Sequence, residues 1–231
     1  MTTTLITGAN KGLGHEAARR LIDAGHDVWV GARDAAAGAR AAEALGARFV
    51  RLDVTDDASV AAAVDTVRAA GTGLDVLVNN AGVIGPRVAP RDTTAGDVAE
   101  TYATNVFGVV RVTHAFLPLL EGSDNPVIVN VASGLGSLAL TNDPGRVEHQ
   151  VVSLGYPTSK TAVVALTDMY ARALPGFRVN AVDPGYTATD LNGHSGHQTV
   201  AEGTDAIVAL AQVGPDGPTR TFQDREGLVP W

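Results

Sequence analysis

The chain has 231 residues, 45% of them hydrophobic, with a formal net charge of −8 and a pI near 5.1. That length buries a large core, and the acidic balance argues against nucleic acid as a general partner. There is no cysteine, which excludes disulfides, thiolate nucleophiles and Cys–zinc sites. No run reaches the ~20 continuous apolar residues of a membrane span. Met1-Thr2-Thr3-Thr4 carries no basic n-region and leads straight into a strand. A cytoplasmic enzyme with no membrane partner is the expectation.

Strand-like and helix-like stretches alternate along the chain. Thr2–Thr7 reads as a strand, and Gly12–Ala24 as a helix closed by Gly25. Asp27–Ala32 is a second strand, Ala35–Leu45 an alanine-rich helix ending at Gly46, and Arg48–Val54 a third strand. Asp56 or Asp57 caps a helix running to about Ala70, and Leu74–Val78 is a strand apolar enough to be buried on both faces. Pro86 and Pro90 break the chain before a long helix over Ala95–Leu120, bent near Asn105 or Gly108. Pro126–Val131 is the fifth strand, and Ser133–Gly155 is irregular. Tyr156–Leu174 is helical, with Pro157 tolerated in its first turn. Phe177–Val182 is the sixth strand, Asp183 to about Gln198 a long polar loop, Thr199–Ala211 a helix and Thr219–Gln223 a last short strand. This alternation predicts one α/β domain over residues 1–231, a doubly wound, seven-stranded parallel sheet with helices on both faces. Ligands of such sheets bind beyond the carboxyl ends of the strands, so the residues just after each strand carry the function.

The first of these turns is Thr7-Gly8-Ala9-Asn10-Lys11-Gly12-Leu13-Gly14. Its Gly-x-x-x-Gly-x-Gly spacing between a strand and a helix is a variant of the Rossmann dinucleotide fingerprint. Glycines allow positive φ and close backbone approach, and the helix start offers unpaired N–H groups to a pyrophosphate. No Gly-Lys-Ser/Thr follows, so it is not a nucleotide-triphosphatase loop. Alone, such a turn is often only a tight connection. Further along, Tyr156 and Lys160 stand four residues apart on one helix, about a turn apart on one face. A cation beside a phenol favours the phenolate and brings tyrosine into acid–base range. By spacing alone, an aromatic beside a solvated lysine is the commoner explanation.

Taken in order, Thr7-Gly8-x-x-x-Gly12-x-Gly14, Asn79-Asn80-Ala81-Gly82, Asn105, Ser133, Tyr156-x-x-x-Lys160 and Pro184-Gly185-x-x-x-Thr189 resemble the short-chain dehydrogenases/reductases. Asn10-Lys11-Gly12 and Ala32-Arg33-Asp34 resemble the carbonyl-reductase type within that family. The resemblance implies hydride transfer between a nicotinamide and a carbonyl or alcohol. It assigns Tyr156 as general acid in reduction, with Lys160 also on the nicotinamide ribose. Ser133 would donate to the substrate oxygen, and Asn105 would bind a water linking Lys160 to solvent. For the cofactor it implies Gly8, Asn10, Lys11, Gly12, Leu13 and Gly14, then Arg33, then Asp53 and Val54 at the adenine. Asn80, Ala81 and Gly82 would meet the adenosine ribose, and Pro184, Gly185, Thr187 and Thr189 the nicotinamide. Plainer explanations stand beside these: Ser133 as a turn cap, Asn105 as a kink, Asp53 as a helix-entry cap, and Pro184-Gly185 as a simple turn.

NAD-binding members place an acid at the end of the second strand. Here Ala32 stands there with Arg33 next, and Lys11 adds a cation, so the expected cofactor is NADPH (NADP+) rather than NAD(H). Asp34 could counter this by pairing with Arg33. Ser133 and Tyr156 are 23 positions apart, about ten more than in the commonest members, with the extra residues at roughly 141–151. The substrate loop is expected at about 186–198. Leu135, Leu138, Leu140, Val151, Tyr186 and Leu191 suggest a small-molecule carbonyl substrate that is apolar or aromatic. Homo-oligomer and monomer both remain open. His194-x-x-His197 lacks an evident third ligand, so no metal is expected. The main expectation is a carbonyl reductase. An alcohol dehydrogenase working oxidatively and a non-catalytic NADPH sensor are the alternatives.

Overall fold

The strands of the sheet centre have no polar face. All five residues of β1 (Thr3–Thr7), all four of β4 (Val76–Asn79) and all five of β5 (Val127–Val131) are buried. A sheet buried on both faces is what parallel strands joined by helical crossovers produce. The computed structural model describes residues 1–231 and has that form. With β2 (Asp27–Ala32), β3 (Arg48–Arg51), β6 (Arg178–Val182) and β7 (Phe222–Gln223), it forms one seven-stranded sheet in the order β3-β2-β1-β4-β5-β6-β7. Every pairing is parallel, with Thr4 opposite Val28 and Val76, and Asn79 opposite Asn130. The order reverses between β1 and β4, which opens a crevice at the carboxyl ends there.

Alternate residues along each strand face opposite layers. Ile6, Val30, Val78 and Val129 pack with α1 (Gly12–Asp23), α2 (Ala35–Leu45) and the last helical segment. Leu5, Trp29, Leu77 and Ile128 pack on the other face with α3 (Asp57–Ala69) and the long helix before β5. The helices start where side chains cap them. Asp34 accepts from the Ala37 amide at 2.9 Å and Asp56 from Ala58 at 2.9 Å, which makes Asp56 the cap of α3.

The long helix over 95–120 is three pieces: α4 (Ala95–Tyr102), a π-turn at Ala103–Phe107 and α5 (Gly108–Leu120). The π-turn lies at the bend expected near Asn105. By length and composition the stretch could cross a bilayer, but Val112, Phe116 and Leu120 lie in the core. Beyond β5 come the short α6 (Leu138–Thr141) and α7 (Tyr156–Ala173). The helix expected over 199–211 is two, α8 (Val200–Gly203) and α9 (Asp205–Ala211). At the break the Thr204 hydroxyl bonds back to the carbonyls of Val200 and Ala201, and Arg20 reaches in to Thr204 and Asp205. β3 ends at Arg51 rather than Val54, because Asp53 leaves the sheet to bond Ser59 and Thr55.

A buried polar chain crosses the sheet beneath the site. Asn79 donates to Thr113 (3.1 Å) and to Asn130 (2.9 Å), Asn130 donates to Thr167 (2.9 Å), and Thr167 donates to the Val163 carbonyl (2.9 Å). All four polar side chains are at most 4% exposed.

Candidate active site

The glycines of the first turn are required for different reasons. Gly8 (φ +65°) and Gly12 (φ +58°) hold left-handed backbone. A Cβ at Gly8 would stand 3.0 Å from the Ala81 Cα, so the second half of the crevice closes directly on this turn. A Cβ at Gly14 would meet Asn80 Nδ2 at 2.5 Å and the Ala9 Cα and Gly8 carbonyl at 2.9 Å. Gly12 differs: only Thr189 lies near it, at 3.8 Å across a gap. Lys11, the residue before α1, makes no side-chain cap, so the first amides of that helix face the gap without one. An open cradle at a helix start, walled by glycine and Thr189, fits a pyrophosphate. Leu13 turns inward onto the core near Gly203.

Asn80 and Ala81 lock this turn to β4. Both amides donate to the Thr7 hydroxyl (3.0 and 2.9 Å), and Asn80 Nδ2 donates to the carbonyls of Thr7 (2.8 Å) and Gly8 (3.2 Å). The Asn80 side chain therefore shapes the cradle. Val54 packs against Gly108 and gives its carbonyl to Arg111, and Asp53 Oδ1 accepts from the Thr55 amide and hydroxyl.

At the end of β2 the cations are used differently. Asp34 caps α2 and leaves Arg33 alone; Arg33 is exposed and makes no salt bridge. Lys11 is bonded to Asp190 at 2.9 Å, and Asp190 also accepts from His194 at 2.8 Å. His197 lies against the Tyr186 ring, away from that pair.

The second cluster lies beyond β5. Lys160 is 4% exposed, and its Nζ donates to the Val131 carbonyl at 2.7 Å. It lies 5.6 Å from the centre of the Tyr156 ring. Gly82 backs it: a Cβ there would be 3.6 Å from Lys160 Nζ and 3.5 Å from Asn105 Oδ1. Asn105, on the π-turn, accepts from the Val83 amide (2.9 Å) and donates to the Val83 carbonyl (2.9 Å) and Ser159 Oγ (3.0 Å). Both Nδ2 hydrogens are used, while Oδ1 accepts one bond and keeps a second acceptor site. Ser133 caps a short turn by accepting from the Leu135 amide at 3.2 Å, while its hydroxyl also faces the Tyr156 phenol. That turn presses on α7 so closely that a Cβ at Gly136 would stand 2.7 Å from the Lys160 backbone.

Desolvation dominates the proton affinities. Burial pushes the Tyr156 phenol up to about 12, aided by the negative charge of Asp183 and opposed by the Ser133 hydroxyl. Burial also pulls Lys160 down to about 8, with Asp183 opposing. Tyr156 as a whole is half-buried. Burial and Asp183 set the direction on the phenol, toward its protonated form.

Thr187 donates to the Pro184 carbonyl at 2.8 Å, and the Gly185 amide donates to Asp183 at 2.9 Å. The Thr189 amide donates to Asn192 at 3.2 Å. Two residues of the site stand out only in three dimensions. Ser159, a rival to Ser133 by sequence, instead links Asn105 to the Tyr156 carbonyl (2.7 Å). Asp183 carries a carboxyl beside both turns; its place just after β6 was the available signal.

A parallel doubly wound sheet with a glycine cradle and a phenol–ammonium–hydroxyl cluster on opposite sides of the crevice defines a nicotinamide-dependent oxidoreductase. The short chain dehydrogenase family model matches residues 2–199, and the chain belongs to that family. It is 31% identical to (+)-neomenthol dehydrogenase of Capsicum annuum, covering 97% of this chain and 96% of that one. It is also 31% identical to salutaridine reductase of Papaver bracteatum, covering 97% and 94%. The pepper alignment runs over 301 positions, so that relative carries stretches this 231-residue chain lacks. Among solved structures, the NADPH-bound carbonyl reductase from chicken fatty liver superposes with a TM-score of 0.86 at 28% identity, covering 100% and 99%.

Proposed function

We propose that this oxidoreductase reduces a ketone or aldehyde with NADPH. The observation that carries the reading is the convergence of Tyr156, Lys160 and Ser133 just beyond β5, a phenol, an ammonium and a hydroxyl in the arrangement a general acid needs. NADPH, when bound, supplies a hydride. Ser133 then holds the substrate oxygen by a hydrogen bond, and Tyr156 gives its proton to that oxygen as negative charge develops. Lys160, held by the Val131 carbonyl, stands by the phenol and would hold the nicotinamide ribose, and Asn105 fixes the start of α7 through Ser159. Arg33, unpaired at the end of β2, supports a 2′-phosphate and hence NADPH over NADH. Lys11 joins that site only by leaving Asp190.

Leu138, Val151, Tyr186 and Leu191 are each more than 40% exposed on the segments that follow β5 and β6, which favours an apolar or aromatic carbonyl. The relatives' names, a menthol-type dehydrogenase and a salutaridine reductase, fit a bulky apolar substrate. The test is turnover of diketones, quinones and aromatic aldehydes with NADPH and with NADH, for wild type and Arg33→Ala. The expected outcome is an NADPH preference that falls about tenfold to a hundredfold in Arg33→Ala, with NADH kinetics unchanged. Turnover with neither cofactor on any carbonyl would overturn the reading.

A further inference from the structure

Asp183 lies where the two catalytic turns meet. Its Oδ1 accepts from the Gly185 amide at 2.9 Å, in the Pro184-Gly185 turn. Its Oδ2 reaches the other turn: a Cβ at Gly134, next to Ser133, would stand 2.8 Å from that oxygen. The same Cβ would also be 3.3 Å from Glu148 Oε1, so both carboxyls close on this glycine. The carboxyl is largely buried, and it is not spent on a salt bridge.

We propose that Asp183 is a positioning residue of the active site: its carboxyl ties the Ser133-Gly134 turn to the Pro184-Gly185 turn and faces the Tyr156–Lys160 pair. The first role is geometric. One carboxylate accepting from Gly185 while abutting Gly134 fixes the spacing between the substrate-oxygen donor and the turn assigned to the nicotinamide. A small misplacement there is costly in rate. The second role is electrostatic. A nearby negative charge makes a phenolate less favourable and a lysine cation more favourable. Both effects of Asp183 have that sign, on Tyr156 and on Lys160. An acid at this place therefore keeps the proton on the phenol and the charge on the lysine. This electrostatic part rests on the proposed role of Tyr156.

The charged groups facing Asp183 come from three elements. Glu148 and Arg146, on the segment between α6 and α7, are bonded to each other at 3.1 Å. Asp224 follows β7, and Tyr156 and Lys160 come from α7. Glu148 and Asp224 push the Asp183 carboxyl up, in the same direction as its burial; the amides of Gly185 and Gly134 hold it down.

The experiment is a tyrosinate absorbance titration of the whole protein without cofactor. The chain has four tyrosines, and subtracting the Tyr156→Phe variant of each background isolates one. In Asp183→Asn the Tyr156 step should fall by about one pH unit relative to wild type. An unmoved or rising step in Asp183→Asn overturns the proposal. Should that variant not fold, Asp183→Ser is titrated in its place, with an unmoved or rising step overturning it. The geometric role is read from kcat: Asp183→Ala should lower it about tenfold, and Asp183→Asn should recover most of the loss. Equal losses in both variants with an unmoved step would make Asp183 merely structural. The titration needs no turnover, so failure of the carbonyl-reduction reading leaves it interpretable.

Discussion

The two sides of the crevice are built from different materials. The side beneath β1 and β2 is made of backbone: glycines that forbid a Cβ, amides at the start of α1, and Asn80 tying carbonyls together. The side beneath β5 and β6 is made of buried titratable side chains whose proton affinities are displaced by desolvation. Shape governs the first, and charge in a low-dielectric setting governs the second. Changes in the first side should therefore act on binding and folding, and changes in the second on rate and its pH dependence.

The largest expected effect is on the charged side. Tyr156→Phe should lower kcat about a thousandfold while leaving the NADPH dissociation constant within about twofold, as befits loss of a general acid. Parallel losses in both would erase the contrast between the two sides. Next comes the backbone side. Gly14→Ala places a methyl 2.5 Å from Asn80 Nδ2 and 2.9 Å from two backbone atoms. Overpacking of this kind costs about 1–3 kcal/mol. Calorimetry should show a lower Tm and at least tenfold weaker NADPH binding, and an unaltered variant would mean the turn is more pliable than its packing implies.

The smallest effect lies outside both sides. Glu202 accepts from the Thr199 amide and from Arg225, which hold its carboxyl down at about 2 against an ordinary 4.5. A depressed carboxylate stabilises the fold above its ordinary pKa and loses that contribution as pH falls from about 4.5 towards 2. Glu202→Gln should lower Tm slightly at neutral pH and flatten its acid decline, with no change in turnover at neutral pH.

Much of the architecture is legible in the sequence because each element obeys one period and ends on a recognisable residue. Gly25 and Gly46, both at positive φ, close α1 and α2 where expected. The backbone side is legible for the same reason: Gly8, Gly12 and Gly14 declare their constraint locally. The charged side is legible through its most distinctive members, Tyr156 and Lys160, and through Ser133 and Asn105 in the order of the motifs. Ser159 gains its meaning from Asn105, 54 positions earlier, and Asp183 from a glycine in the neighbouring turn. No local pattern encodes such contacts. The break at Thr204 is similar, since a hydroxyl turning back on its own helix and Arg20 from a distant one decide it together. Lys11 shows the limit from the other direction. Its charge is plain in the sequence, but its partner, Asp190, lies 179 positions away.

The polar chain from Asn79 through Asn130 to Thr167 has an evolutionary consequence. Each member's hydrogen-bonding capacity is met largely by the next, far from water. Replacing one alone strands a buried donor or acceptor, at about 1–3 kcal/mol, whereas replacing all with apolar groups of like shape can be nearly neutral. These positions should drift as a set, through rare concerted changes rather than single steps. Lineages that kept one of the three would be held to the other two, an epistatic lock located under the catalytic floor rather than on it.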